Sequence, residues 1–152
     1  MTSTRTRVPS HTADEVNRRI ARDIENSVRY FALHPDEIPE RLRELDEEWD
    51  IERAIEANAA ALAFTGVALA ASGRRRWLML PALVTGFLFQ HAIQGWCPPV
   101  PILRRLGFRT AYEIEHERKA LQALRGDFEK VTTAPDPAAA ALRAASDVRA
   151  QW

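Results

Sequence analysis

The chain has 152 residues, enough for one ordinary domain, and its 21 basic and 21 acidic side chains cancel, which removes the basic excess that phosphate-directed nucleic-acid binding needs. Its single cysteine, Cys97, permits no internal disulfide and no cysteine-based zinc site, and fits a reducing compartment. Charge is unevenly spread: residues 1–56 carry nine basic and fourteen acidic side chains, residues 104–152 carry nine and seven, and between them stand only Arg74, Arg75 and Arg76.

Residues 1–11 read as a flexible leader. "MTSTRTRVPSHTADEV" lacks the apolar core of a secretory signal, so membrane insertion is expected to use an internal segment. Residues 12–49 read as charged amphipathic helices. Thr12 and Glu15 have capping-box spacing, and Val16, Ile20, Ile24 and Val28 form one apolar stripe suited to a partner helix or a membrane surface. His34-Pro35 closes that helix, because the residue before proline avoids the helical region. A second, acidic helix starts near Pro39, with Ile38, Leu42, Leu45 and Trp49 on one side, and Asp50 is placed to cap the next helix.

Residues 50–103 read as a transmembrane hairpin. Ala57 to Gly73 is seventeen residues without a charge and Trp77 to Leu103 is twenty-seven, against the ~20 a bilayer requires. The spans are expected at about 55–73 and 77–97, with "SGRRRW" as a tight reversal between antiparallel helices. A helix apolar all round belongs in a large core or in lipid, and so small a chain has no large core. The alternative is a soluble helical bundle in which the charged helices cover the hairpin. Ala59, Ala63, Gly66, Ala70 and Gly73 lie on one face, which suits close helix packing and self-association as a homo-oligomer. Gly66 and Gly86 are about equally far from the arginine turn and are expected to meet near mid-membrane. Pro98, Pro99 and Pro101 are expected to end the second helix near Trp96. Trp77 and Trp96, with Arg74, Arg75, Arg76, Arg104 and Arg105, are expected as interface anchors.

Residues 104–126 read as an amphipathic helix opened by a capping box of Thr110 and Glu113 and stopped by Gly126. Residues 127–152 read as a mobile Ala/Pro-rich tail, within which "PAAAALRAASDVRAQ" could form a short helix.

Asn58, Gln90, His91 and Gln94 form a polar cluster inside the expected spans. They are assigned to hydrogen bonds that hold the two helices together, with an ion or cofactor site as the alternative. No cofactor is implied, and the four histidines show no metal-ligand spacing. Cys97 is the one candidate reactive group, a thiol at the wet end of the second helix. There the helix dipole opposes thiolate formation, so a structural role is the alternative.

The block "WDIERAIEANAAALAFTGVALA", a basic turn, an apolar helix and "GWCPPVPILRRLGFRT" together resemble the YgaP-like two-helix transmembrane domain, a family of small bacterial inner-membrane hairpins. The likeness covers residues 50 to about 110, and Gly95 to Pro98 is its most specific element. It implies a hairpin in the bacterial inner membrane. In some relatives the hairpin is joined to a rhodanese domain that moves sulfur; this chain has no α/β segment and no second cysteine, so that activity does not carry over.

The expectation is therefore an all-α protein, a two-helix transmembrane hairpin flanked by charged amphipathic helices. The bilayer is its partner, nucleic acid is not, and any protein partner is unknown. Its function is expected to be that of a membrane-anchored interaction or scaffold module. An accessory of sulfur or redox metabolism using Cys97 is the alternative, and a soluble bundle the second. Six arginines flank the hairpin at its termini, namely Arg41, Arg43, Arg53, Arg104, Arg105 and Arg109, against three in the turn, which puts both termini in the cytoplasm.

Overall fold

The structure, a computed structural model, describes residues 5–129, 131 and 133–146. The described residues are all-helical, with no strand among them. The helices are α1 (Asp14–Leu33), α2 (Ile38–Glu47), α3 (Ile51–Ala71), α4 (Met79–Gln94), α5 (Val100–Arg105), α6 (Ala111–Arg125) and α7 (Pro137–Ser146). They divide into two compact units, one drawing on Met1–Asp23 and Glu48–Ile114, the other on Ile24–Glu47 and Glu115–Trp152.

The first unit is built on α3 and α4, which pack against each other as an antiparallel pair. Asp50 caps α3 as its sequence position requires, its carboxylate accepting the Arg53 N–H at 2.6 Å. The Ile51 N–H, one of the donors a helix start leaves over, is taken by the Arg109 carbonyl at 2.8 Å. After Ala71 the chain reverses through Ser72–Arg74 and a 3-10 turn, Arg75–Leu78, that lies against α3. The expected span at 77–97 is thereby shortened to sixteen residues of α4, a rise of about 24 Å at ~1.5 Å per residue. Among the described residues one stretch, Pro35–Ala71, which takes in α2 and α3, holds a segment long and apolar enough to cross a membrane, and 17% of that segment is buried within the chain.

Gly95, not the prolines, stops α4. Its backbone takes the left-handed conformation (φ 78°) and its N–H returns to the His91 carbonyl at 2.7 Å. The prolines instead start α5, with Pro99 as its cap residue and Pro101 in its first turn. Within the segment 104–126, Arg104 and Arg105 end α5, and the helix opened by the Thr110–Glu113 box is α6, Ala111–Arg125, followed by Gly126.

Gly66 and Gly86 do not meet. A Cβ on Gly66 would stand 2.5 Å from Pro81 Cδ and 3.2 Å from Leu80 Cβ, whereas one on Gly86 would meet open space. The reversal consumes residues 72–78 and folds its 3-10 turn onto α3, so the first turn of α4 is what lies level with Gly66. The small-residue face of α3 is used within the hairpin at this point.

The leader expected to be flexible is packed where it is described. Pro9–His11 form a 3-10 turn, and Val8, 1% exposed, enters the core with Ile51, Ile55, Cys97 and Val100, flanked by Leu88, Leu103 and Phe108. The Thr12 hydroxyl does not cap α1 but donates to the Val8 carbonyl at 2.9 Å.

In the second unit Ile24, Ile38, Leu42, Leu45 and Leu121 are buried. So is Glu117, whose carboxylate is met by Ser27 Oγ at 2.6 Å and Arg41 Nε at 3.0 Å. Arg118 pairs with Asp46 in the same unit. Of the tail, Pro137–Ser146 is the short helix α7; residues 147–152 lie outside the described residues.

Candidate functional site

The chemistry of the first unit gathers at the open end of the hairpin, where α3 begins and α4 ends. Its centre is Arg104, expected as an interface anchor and instead 0% exposed. A buried guanidinium is tolerated only when its donors are met. Here they are: Nη1 and Nη2 hold the Glu113 carboxylate at 2.6 and 2.8 Å, Nη1 also reaches the Phe108 carbonyl at 3.1 Å, Nη2 the Asn17 side-chain Oδ1 at 3.0 Å, and Nε the Thr12 hydroxyl at 3.2 Å. Glu113 is placed for this by the capping box read from sequence, in which it accepts the Thr110 N–H at 2.8 Å while its own N–H donates to Thr110 Oγ1 at 3.2 Å. Burial alone would raise the Glu113 pKa, but the Arg104 and Thr110 hydrogen bonds outweigh it and hold the carboxyl below its ordinary value. Arg109 makes a second such pair with Glu48, Nε to Oε1 at 2.7 Å. Arg105 is exposed, and the Arg105 carbonyl accepts from Arg19 at 2.9 Å.

Two cavities flank this end. One, of about 380 Å³, is apolar, lined by α3, α4 and the segment from Cys97 to Leu103, with Asn58 and Cys97 the polar side chains on its wall. Cys97 is 2% exposed, so the wet thiol expected from sequence is a packed one. The other cavity, of about 170 Å³, is lined by Arg7, Glu52, Glu56, Leu88, His91 and Ala92. His91 is 5% exposed and neither of its ring nitrogens has a hydrogen-bond partner; Arg7 Nε and Glu52 Oε2 on the same wall also lack one. Arg7 is anchored by Nη1 donating to the Ala92 carbonyl at 2.8 Å. Its backbone also lies so close to Gly95 that a Cβ there would stand 2.6 Å from the Arg7 carbonyl carbon. Burial pushes the Glu52 carboxyl up. Hydrogen bonding to the Glu52 and Ala111 backbone and the charge of Arg7 act against the rise, and Asp50 adds to it.

The polar cluster expected at Asn58, Gln90, His91 and Gln94 is thus divided. Asn58 donates to the Ala54 carbonyl of its own helix at 2.8 Å, Gln90 and Gln94 make a 3.5 Å contact along α4, and His91 turns to the charged cavity. Of the expected anchors, Arg74, Arg75 and Arg76 are exposed, Trp96 and Trp77 are half-buried, and the Trp77 indole N–H has no partner. Arg7, Asn17, Glu52 and Glu56 escaped the sequence reading, and Thr12 reads there as a helix cap; only the clearing of charge from residue 57 onward hinted that Glu52 and Glu56 stand at a boundary. Among the described residues no group of three or more His, Cys, Asp or Glu is placed to hold a metal. No protein-family profile, curated protein or solved structure matches the chain.

Proposed function

We propose that the α3–α4 hairpin crosses a bilayer and that the chain is a membrane-anchored interaction or scaffold module, in line with its resemblance to bacterial inner-membrane hairpins. The observation that carries this reading is apolar surface left uncovered by the rest of the chain. Phe64 is 76% exposed and Phe89 70%, and Val67, Met79, Leu83 and Ile93 are each more than half exposed. Large apolar side chains left exposed along both helices of a pair that carries no charge after Glu56 mark a surface made for lipid or for a partner. The charges between residues 57 and 103 are the three arginines at the tip, where long cationic side chains can reach headgroups on the far side.

The Arg104 network supports two crossings over one. Thr12 and Asn17 precede the hairpin; Arg104 and Glu113 come after it. A single crossing by α3 would separate them by a bilayer, whereas an even number keeps all four together. A span of about 24 Å is short of the ~30 Å hydrocarbon thickness, a mismatch met by local thinning at modest cost. Both flanks are assigned to the cytoplasm on the positive-inside rule. Self-association is assigned to the outward faces, since Gly66 is occupied inside the hairpin.

The test is fractionation of membranes with an alkaline carbonate wash. Retention in the pellet is expected, and release into the supernatant would overturn the reading. A reporter active only in the periplasm, fused after Trp152, should stay silent.

A further inference from the structure

We propose that the cavity lined by Arg7, Glu52, Glu56 and His91 binds a phosphoethanolamine group, the headgroup of a surrounding phospholipid, with Arg7 and His91 on the phosphate and the two glutamates on the ammonium. The lipid source rests on the membrane reading above; the headgroup chemistry does not.

Four observations converge on this ligand. First, His91 is 5% exposed and lines the cavity with both ring nitrogens unpartnered. A buried imidazole of this kind calls for something that both accepts and donates, because an unmet buried polar atom is costly. Second, Arg7 Nε and Glu52 Oε2, buried atoms of opposite charge, are also unmet on the same wall. A simple anion would satisfy the arginine and worsen the glutamates, and a simple cation would do the reverse. A zwitterion carrying a tetrahedral anion and a primary ammonium answers both. The phosphate accepts from Arg7 Nε–H and an imidazole N–H in charge-assisted bonds; the ammonium has three donors for Glu52, Glu56 and the unprotonated ring nitrogen.

Third, the site is a constructed one. Gly95 lets the Arg7 backbone approach where a Cβ would collide, and the Ala92 carbonyl fixes the guanidinium at 2.8 Å. At about 170 Å³ the cavity has room for roughly five waters at ~30 Å³ each, and so for a small polar molecule. Fourth, the position suits a lipid. Glu56 is the last charge before the uncharged run that opens at Ala57, and His91 lies in the last turn of α4. A trimethylammonium fits poorly, because it offers no N–H to a carboxylate and is bulkier.

The full-length protein in detergent would be titrated with glycerophosphoethanolamine, a soluble probe with no acyl chain, and the His91 ring resonances and thermal midpoint followed. Saturable shifts of the His91 ring and a raised midpoint are expected, with glycerophosphocholine at least tenfold weaker. The double variant Glu52→Gln, Glu56→Gln should lose the preference between the two probes while retaining helix content. Arg7→Gln should weaken both probes about equally. No saturable shift of His91, or equal affinity for the two probes, would overturn the assignment, as would glycine binding more tightly than glycerophosphoethanolamine.

A second arm separates the sources. In nanodiscs, phosphatidylethanolamine should raise the thermal midpoint over phosphatidylcholine in the wild type and not in the double variant. Binding of the soluble probe without this lipid dependence would overturn the lipid source. Carbonate-resistant membrane association without probe binding would overturn the headgroup site and leave the membrane reading intact.

Discussion

Replacing Arg104 with methionine removes a guanidinium that meets four other residues and takes one donor each from the Asn17 side-chain Oδ1, the Thr12 hydroxyl and the Phe108 carbonyl, and two from the Glu113 carboxylate. Breaking a buried ion pair from one side costs roughly 3–5 kcal/mol. Glu113 keeps its Thr110 N–H bond and 17% of its side-chain exposure, which places the expected loss toward the lower end. In a chain of this length ~1 kcal/mol moves the midpoint by about 2–4 °C, so Arg104→Met should unfold at least about 6 °C lower by circular dichroism in matched detergent. Acid sharpens the test. The Glu113 pKa is lowered from 4.5 on folding, so its contribution is present above that value and is lost as pH falls through the folded one. The wild type should therefore lose stability on acidification below pH 4.5, and Arg104→Met should lose much less. The double variant Arg104→Met, Glu113→Gln should recover part of the damage, because both partners then go together. A midpoint within about 2 °C of wild type, or strict additivity of the two single variants, would refute the account of Arg104 as the buried centre of the network.

Gly66→Ala should destabilise by about 1–3 kcal/mol through the Pro81 collision, whereas Gly86→Ala should be neutral or stabilising by up to about 1 kcal/mol; equal midpoints for the two would contradict the hairpin register. Gly95→Ala combines a left-handed backbone, costing ~1–2 kcal/mol, with displacement of Arg7, so limited proteolysis should cut near residue 7 faster than in wild type. Asp50→Ala should cost about 1 kcal/mol in thermal unfolding through loss of the α3 cap. Maleimide labelling of Cys97 should be slow in the native protein and fast in denaturant; rapid native labelling would contradict its packing beside Ile51 and Val100.

Features that a few neighbouring residues decide were legible. The Asp50 cap, the Thr110–Glu113 box and the apolar faces of α1 and α2 arise from side chains three or four positions apart, and each is present. What failed depended on distant partners or on counting. Arg104 reads as a surface anchor because nothing local distinguishes it from Arg105; its carboxylate lies beyond a turn, and its hydroxyl and amide partners precede it by 92 and 87 positions. Val8 is an isolated apolar residue with no period to reveal it. Two stop signals sit close together at Gly95 and Pro98, and the backbone uses the first, because a left-handed residue ends a helix before a proline can. Matching Gly66 to Gly86 assumed two helices joined at a point, whereas the reversal occupies residues 72–78 and folds onto α3. The charged cavity drew on Arg7, which a leader without periodicity concealed.

The docking of Arg7 on Ala92 spans 85 positions and sets an order of events in time. At ~5–20 residues per second of synthesis, about 4–17 s separate the appearance of Arg7 from that of the carbonyl that will hold it. Throughout that interval Val8 has neither Cys97 nor Val100 to pack against. The hairpin is by contrast joined through a reversal of a few residues, and local contacts form first. The N-terminal segment therefore closes over a hairpin already made, and a nascent chain halted before Ala92 should leave it accessible to a protease that the finished protein resists.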